Sequence, residues 1–206
     1  MSKRRLSILL AALFITGYAA YLSYQFFTVQ QIPTELIAVL RPAPKQLQEF
    51  KLIDQNKNSF TLDHLKNTNT LLFFGYTSCP DICPTTLTIL NQLFNQLNKT
   101  RSSESYNIIF VSVDPQRDTT EKLSDYMNYF NRDFLAVTGT KTEIDQFARQ
   151  FGAGNVIDGD VSGDNYLVSH TSSIFLINSQ QNFIASFSPP HHAEIIASQL
   201  QLIEKL

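Results

Sequence analysis

The chain has 206 residues, of which 16 are Lys or Arg and 18 are Asp or Glu, so its formal charge at pH 7 is −2. This length accommodates one domain of ordinary size and an appendage. The composition offers no basic face of the kind that binds nucleic acid, which argues against nucleic-acid-binding classes.

The N-terminal region predicts a membrane anchor. Lys3, Arg4 and Arg5 precede residues 6–27, which carry no charge and are mostly apolar, and about 20 such residues span a hydrocarbon core. Residues 1–5 are expected to stay in the cytoplasm, which places the rest of the chain across the membrane. The alternative is a cleaved signal peptide, but its apolar core is shorter, about 7–15 residues, and no small-residue cleavage site is evident.

The chain beyond the anchor is acidic. No Asp or Glu precedes Glu35, so all 18 acidic residues face 13 basic ones there, a formal charge of −5. Residues 28–48 contain three prolines and are predicted to form an extended stalk, because proline stiffens a linker. A globular domain is predicted over residues 49–206.

The first half of the globular domain alternates strands with helices. Residues 50–54 and 59–62 predict a hairpin around a polar turn. The continuous apolar run 70–76 predicts a buried strand. Apolar residues then recur every three or four positions over residues 84–97, which predicts an amphipathic helix with a proline in its first turn.

The second half continues the alternation. A buried strand, a helix that Thr119 or Thr120 can cap, another strand, and a helix that ends before Gly152 follow in that order. Residues 152–165 are rich in Gly, Asp and Asn, which predicts a loop. Further strands include a hairpin that leads to a C-terminal helix. The strands predicted in this half are 108–113, 134–137, 166–168, 173–177 and 183–187.

Strands that alternate with helices, and then end in a hairpin and a helix, predict an α/β fold with a sheet that is parallel at its centre. Cys79 and Cys83 follow the strand 70–76, so both thiols should lie at a helix N-terminus, at the carboxyl end of a central strand. The unpaired N–H groups and the dipole of the helix favour the thiolate there. This layout is that of a thioredoxin-like fold, preceded by a transmembrane helix.

The spacing of the cysteines favours metal binding. A Cys-x-x-Cys pair would favour disulfide exchange, but three residues separate Cys79 from Cys83, and the segment ahead of the hairpin strand contains His170 and no proline. In such a fold this segment lies across from the helix N-terminus, so His170 is expected to meet both thiols. Two thiolates and an imidazole suit three-coordinate Cu(I), whereas a structural zinc site would lack its fourth ligand.

Three segments resemble the motifs of the Sco/SenC family, in the same order along the chain. They are residues 74–84, 111–119 and 168–171. The resemblance covers about residues 45–204, with a membrane anchor ahead of them as in the family. It implies a thioredoxin-like fold, copper bound by Cys79, Cys83 and His170, and a role in assembling the dinuclear copper centre of cytochrome c oxidase.

Several residues admit a second interpretation. Cys79 and Cys83 could form a plain structural disulfide, although so short a ring removes little chain entropy. Asp114 could be an electrostatic partner of the thiols or an ordinary turn residue, and the sequence favours neither. Arg117 and Asp118 are interpreted as structural. The other histidines are expected at the surface; they are His64, His191 and His192.

Pattern and resemblance together predict a membrane-anchored copper chaperone, on the periplasmic side of an inner (plasma) membrane. It binds Cu(I), with Cu(II) left open, and delivers copper to the copper-accepting subunit of cytochrome c oxidase; no enzymatic activity is expected. The alternative is a thiol-disulfide oxidoreductase that reduces the acceptor's cysteines before metallation. It would use Cys79 and Cys83 as a redox-active pair and would not require His170.

Overall fold

A computed structural model of the chain describes residues 3–27, 32–100, 106–158 and 166–206. The predicted anchor region forms one helix, α1 (Lys3–Phe27). None of the helices in the described ranges reaches the combination of length and hydropathy that crossing a bilayer requires. Large apolar side chains of α1 are about half exposed or more; they are Leu10, Leu13, Phe14, Ile15, Tyr18, Tyr21 and Leu22.

A mixed β-sheet forms the centre of the globular part. Its described strands are β1 (Leu40–Gln46), β2 (Lys51–Asp54), β3 (Ser59–Thr61), β4 (Asn69–Gly75), β5 (Tyr106–Ser112), β6 (Leu135–Thr138), β9 (Ile174–Ile177) and β10 (Asn182–Phe187). They lie in the order β1-β10-β9-β4-β5-β6-β2-β3. The two remaining strands, β7 (Asn155–Asp158) and β8 (Leu167–His170), pair antiparallel in a separate sheet, called the ribbon below.

The parallel centre of the sheet brings two turns of the chain together. β4 pairs in parallel with β5, and β5 with β6, so that Gly75 at the end of β4 lies beside Ser112 at the end of β5. The chain leaves both strands at the same edge of the sheet, as the carboxyl ends of parallel strands must. Residues 76–81 and residues 113–119, which follow these strands, are therefore neighbours in space.

The helices of the globular part are α2 (Ile82–Thr100), α3 (Thr120–Phe130), α4 (Lys141–Phe151) and α5 (Ala193–Ile203). Thr119 caps α3, since its hydroxyl oxygen accepts a hydrogen bond from the Lys122 amide at 3.2 Å. A capping box of Thr140 and Glu143 starts α4, and Gly152 ends it with φ of +69°, a left-handed conformation that favours glycine. The predicted ends of these two helices thus have local causes.

The core lies on both faces of the central strands. Every residue of β4 is buried, and one face of α2 packs into the same core through leucines 87, 90 and 93. Because neighbouring elements cover both faces of β4, its sequence is a continuous apolar run without alternation. The rings of Phe147, Phe151 and Phe175 each pack against Phe74, and Phe151 also packs against the other two, at centroid distances of 5.2–6.1 Å. This packing buries the end of β4 that leads to the site.

The predicted stalk differs from the structure. Residues 40–46 form the edge strand β1, which pairs antiparallel with β10, and Thr34–Leu36 forms a short 3-10 helix. The two prolines of β1 are compatible with this position, because an edge strand tolerates a missing N–H group. Residues 28–31 of the predicted stalk lie outside the described residues.

The predicted loop 152–165 also differs from the structure. Residues 155–158 form β7, whose Asn155 lies opposite His170 of β8. Glycines and aspartates flank this short strand in the sequence, so composition indicates a loop, and pairing with β8 decides the outcome. Residues 159–165 lie outside the described residues.

Candidate metal centre

The turn between β4 and α2 positions both sulfurs. After Gly75, the Cys79 amide donates a hydrogen bond to the carbonyl oxygen of Tyr76 at 3.2 Å, and α2 begins at Ile82. Cys83 therefore lies in the first turn of α2, and its backbone N–H donates to Cys79 Sγ at 3.5 Å. One of the N–H groups that a helix N-terminus leaves unpaired thus points at a sulfur. The cysteines form no disulfide; Cys83 is buried and Cys79 half-buried.

The ribbon brings His170 to the sulfurs. His170 is the last residue of β8, and its Nε2 atom lies 3.4 Å from Cys83 Sγ. The ligand atoms of Cys79, Cys83 and His170 all lie within 4.8 Å of one another. Cys79 and His170 line a cleft of about 430 Å³ between the cysteine turn and the ribbon. The three residues that the sequence predicts as ligands therefore lie together.

The other ring nitrogen of His170 sets its tautomer. Nδ1 lies 3.1 Å from the carbonyl oxygen of Thr171, and a carbonyl oxygen can only accept a hydrogen bond. We therefore assign the proton to Nδ1, which leaves the lone pair of Nε2 facing the sulfurs. A hydrogen bond from the non-ligating nitrogen to a backbone carbonyl is the usual way in which proteins orient a metal-binding histidine.

Aromatic rings and one glycine shape the walls of the site. The His170 ring lies edge-on against Phe73 and Tyr76, with centroid distances of 5.9 Å to each. A Cβ atom at Gly75 would lie 2.8 Å from Cys83 Sγ and 2.7 Å from an aromatic ring carbon. The buried sulfur therefore occupies space that any larger residue at position 75 would fill.

The two thiols differ in acidity. A hydrogen bond from the Cys83 thiol lowers the pKa of Cys79 to about 4, helped by the backbone N–H groups of Cys83 and Asp81, while burial opposes this shift. The same hydrogen bond and burial raise the pKa of Cys83 above the range in which a thiol ionises near neutral pH. The metal-free pair therefore carries one thiolate, at Cys79, and one thiol, at Cys83.

Alkylation of Cys79 is expected to be independent of pH between about 5 and 8, because its thiolate is already formed above a pKa of about 4. Cys83 should react far more slowly, since it is buried and protonated. Iodoacetamide labelling of the reduced, metal-free protein, followed by mass spectrometry, measures both rates. The Cys79→Ser control should lose the fast reaction. A Cys79 rate that rises about tenfold per pH unit up to pH 8 would contradict the lowered pKa.

Asp118 holds the turn that precedes the cysteines. Its carboxyl oxygens accept hydrogen bonds from the amide and the hydroxyl of Thr77, at 3.0 and 2.5 Å, and from the hydroxyl of Ser112 at 2.7 Å. Asp118 is buried, with 1% of its surface exposed. Its role is structural, as the sequence predicts, but the structure it supports is the cysteine turn itself. Sequence reasoning missed Thr77, although the shared edge of two parallel strands is a signal that could have found it.

Asp114 lies in a buried cluster with Arg117 and Tyr166. Its backbone oxygen accepts hydrogen bonds from the amides of Arg117 and Asp118, which is the turn chemistry that one interpretation predicts. Its carboxyl group bonds Nε of Arg117 at 2.5 Å and the hydroxyl of Tyr166 at 2.6 Å. Sequence reasoning missed Tyr166, which adjoins the predicted loop and carries no signal of its own.

The remaining histidines are not members of the group formed by Cys79, Cys83 and His170. His64 is exposed, and its Nδ1 atom accepts a hydrogen bond from the Thr61 amide at 3.1 Å. His192 is exposed ahead of α5. The prediction that His191 lies at the surface is wrong, because it is buried and its Nε2 donates to the carbonyl oxygen of Ser172 at 2.9 Å. Within the described ranges, the Cys79–Cys83–His170 group is the one cluster of three such side chains close enough to share a metal ion.

Known proteins share both the sequence pattern and the fold. The family model described as SCO1/SenC matches residues 39–204. A SCO2-like protein of Rickettsia conorii is 30% identical over 197 residues, which are 93% of this chain and 95% of the relative.

Solved structures agree with the sequence match. Copper-bound ScoI of Arabidopsis thaliana superposes with a TM-score of 0.72 at 28% identity, over 77% of this chain and 98% of that one. Copper-bound ScoI of Bradyrhizobium japonicum gives a TM-score of 0.66 at 31% identity, over 76% and 98%. These likenesses confirm the predicted α/β, thioredoxin-like fold. The chain therefore belongs to the SCO1/SenC family.

Proposed function

We propose that this protein is a copper chaperone in which Cys79, Cys83 and His170 bind Cu(I). The observation that carries the proposal is the convergence of their ligand atoms within 4.8 Å. The copper in the two ScoI relatives supports the choice of metal. The donor set supports it independently, because two thiolates and an imidazole favour Cu(I) while a structural zinc site uses four protein ligands.

Binding changes the protonation of the thiol pair. Cys79 is already a thiolate near neutral pH, whereas Cys83 must lose the proton that it donates to Cys79. Each copper ion that binds therefore releases about one proton from the pair. The metal replaces the shared proton as the group that holds the two sulfurs together.

The site suits transfer of the ion to another thiol. Cys79 is half-buried and lines the cleft, so an incoming sulfur can join a three-coordinate ion before one of the present ligands leaves. The acceptor that the family implies is the copper-accepting subunit of cytochrome c oxidase, with its dinuclear copper centre. Oxidation of Cys79 and Cys83 to a disulfide would leave no sulfur able to bind copper as a thiolate, so copper loading requires the reduced pair.

The protein is further proposed to be anchored in an inner (plasma) membrane, with residues 28–206 on the periplasmic side. The uncharged run 6–27, preceded by Lys3, Arg4 and Arg5, supports this arrangement. The exposed apolar side chains of α1 support it too, since they need a nonpolar environment. The anchor would keep the copper site close to a membrane-bound acceptor.

The His170→Ala substitution is expected to weaken Cu(I) binding at least about tenfold, because it removes a direct ligand and leaves two sulfurs. Competition against a chromophoric Cu(I) chelator measures the affinity of the reduced protein. His192→Ala is the matched control, since His192 is exposed and makes no side-chain cap on α5. Equal affinities of the wild type and His170→Ala would remove His170 from the site.

A second candidate function is thiol-disulfide exchange, favoured by a Cys79 thiolate beside a buried Cys83 thiol. Such an enzyme would reduce the cysteines of the acceptor before another protein supplies copper. Cytochrome c oxidase assembly in cells separates the two functions. A chaperone requires His170, so His170→Ala should fail to restore assembly. Restoration by His170→Ala, together with failure of Cys79→Ser, would establish the exchange function instead.

A further inference from the structure

The ribbon that carries His170 is attached to the main sheet differently at its two ends. At the His170 end, residues 171–173 connect β8 directly to β9, and Thr171 and Gly154 exchange hydrogen bonds across the ribbon at 3.1 Å. At the other end β8 begins after Tyr166. Because an isolated two-stranded hairpin is only marginally stable, the direction of the ribbon depends on side-chain contacts with the rest of the protein.

Tyr166 makes several of those contacts at the start of β8, near Val168, which is also buried in the core. It is buried, its hydroxyl donates to Asp114 Oδ1 at 2.6 Å, and its carbonyl oxygen accepts a hydrogen bond from Arg117 Nη1 at 2.9 Å. The Arg117 guanidinium also stacks on the Tyr166 ring, 3.5 Å from its centroid. Backbone, ring and hydroxyl of one residue are thus all held by Asp114 and Arg117, which belong to the turn after β5.

The same guanidinium also reaches the cysteine turn. Arg117 lies 5.5 Å from the ring centroid of Tyr76, and the carbonyl oxygen of Tyr76 accepts the Cys79 amide. The Tyr76 ring also lies perpendicular to the His170 ring at the end of the ribbon, with the centroids 5.9 Å apart. One arginine therefore stands between the segment that holds the sulfurs and the segment that holds the imidazole.

The cluster contains a buried ion pair, which stability alone does not explain. The side chains of Arg117 and Asp114 are 9% and 1% exposed, and a buried ion pair gains little stability over apolar residues that pack equally well. The ion pair instead fixes orientation, because the planar guanidinium contacts the rings of Tyr76 and Tyr166 and the carboxylate of Asp114 at once.

We propose that Asp114, Arg117 and Tyr166 form a latch that positions His170 at the thiol pair, and that copper affinity depends on this latch through His170 alone. The proposal rests on the copper function proposed above. Arg117 is a positioning residue and would not touch the metal. Opening the latch would leave both sulfurs in place and lower the fraction of molecules in which the imidazole can complete the site.

The test is a double-mutant cycle on the full chain, in which Cu(I) affinity is measured by chelator competition. Arg117→Lys keeps the positive charge and loses the planar stacking, so it should weaken Cu(I) binding about tenfold. In the His170→Ala background the same substitution should change the affinity by less than about twofold, because the imidazole it positions is gone. X-ray absorption should show fewer nitrogen ligands per copper in Arg117→Lys than in the wild type.

Matched controls separate the latch from a general loss of structure. Arg41 lies on the distant strand β1, and its guanidinium is 4.5 Å from the ring centroid of Phe183. Arg41→Lys removes this similar stacking contact and should leave copper affinity unchanged. If Arg117→Lys does not fold, Tyr166→Phe keeps the ring and removes the hydroxyl, which bonds Asp114 at 2.6 Å and Gln116 at 3.4 Å, and it should weaken binding in the same direction. Its control is Tyr106→Phe, which removes a hydroxyl bonded to Glu204 at 2.9 Å.

Two results would overturn the latch. One is an equal loss of affinity from the latch substitution with and without His170, which would mean that it acts on the sulfurs. The other is unchanged copper affinity in both latch variants, provided that the wild type binds copper and His170→Ala weakens it. If the wild type itself binds no copper, the proposed function has failed, and the latch, which has no metal site to serve, fails with it.

Discussion

The Cys83→Ser substitution is expected to lower Cu(I) affinity by at least about 100-fold. Loss of a partner that merely orients a ligand already costs about 10–100-fold in metal affinity, and Cys83 supplies one of two soft sulfurs. A hydroxyl oxygen is a poor donor for Cu(I). The substitution also removes the thiol that lowers the pKa of Cys79, so the remaining sulfur becomes less acidic and a weaker site near neutral pH. Chelator competition with the reduced protein measures this loss.

Two further variants make the result on Cys83 interpretable. Serine places a hydroxyl in a fully buried position, so Cys83→Ala, which stays apolar, tests whether the loss of copper follows from the lost sulfur or from unfolding. Thr85→Ser, on the exposed side of the same helical turn, should bind copper like the wild type. Copper retained by a folded Cys83→Ala variant would exclude Cys83 as a ligand.

The Asp118→Asn substitution is expected to lower the free energy of unfolding by about 3 kcal/mol, because a buried group that accepts three hydrogen bonds is replaced by one that presents an N–H₂ group to the same donors. For a domain of this size the midpoint of thermal unfolding should fall by roughly 6–12 °C. Circular dichroism of the metal-free protein measures the midpoint. Copper affinity should fall as well, since Thr77 is only two positions from Cys79.

Asp133→Asn is the matched control for Asp118, because Asp133 is exposed after α3 and the same change of charge should leave the unfolding midpoint almost unchanged. The comparison separates the effect of changing a buried carboxyl group from the effect of removing one negative charge. An Asp118→Asn protein as stable as this control would show that the hydrogen bonds to Thr77 and Ser112 do not hold the cysteine turn.

The sulfurs and the imidazole are positioned by different elements of the fold. Cys83 lies in a packed helix beside Gly75, and the turn that carries Cys79 is bonded to the adjacent parallel strand through Asp118. His170 is at the end of a two-stranded ribbon. The proposed latch is the means by which this ribbon keeps the imidazole beside the sulfurs.

Much of the fold was predictable because local sequence determines it. The continuous apolar run of β4 follows from burial on both faces, and the leucine spacing of α2 follows from helical periodicity. The caps of α3 and α4 depend on residues within one turn of each helix. The position of the thiols at a helix N-terminus follows from the order of strand, cysteines and helix alone.

Other elements were not predictable, because they depend on partners far away in the chain. β1 is a strand because β10 offers it an edge, and its prolines indicate a stalk when read alone. β7 is a strand because it pairs with β8. His191 is polar and follows two prolines, which indicates a surface position, yet its neighbours in the fold bury it.

The sequence by itself determined the three candidate ligands, the place of the two thiols at a helix N-terminus and the family, since each depends on residue identity and on spacing along the chain. Only the tertiary structure decided that Asp118 supports the cysteine turn and that Asp114 and Arg117 face Tyr166. Those contacts arise where two parallel strands end at one edge of the sheet and the ribbon crosses them. Hydrogen bonds and ring stacking act over a few ångströms, and the chain separation of such partners leaves no periodic signal in the sequence.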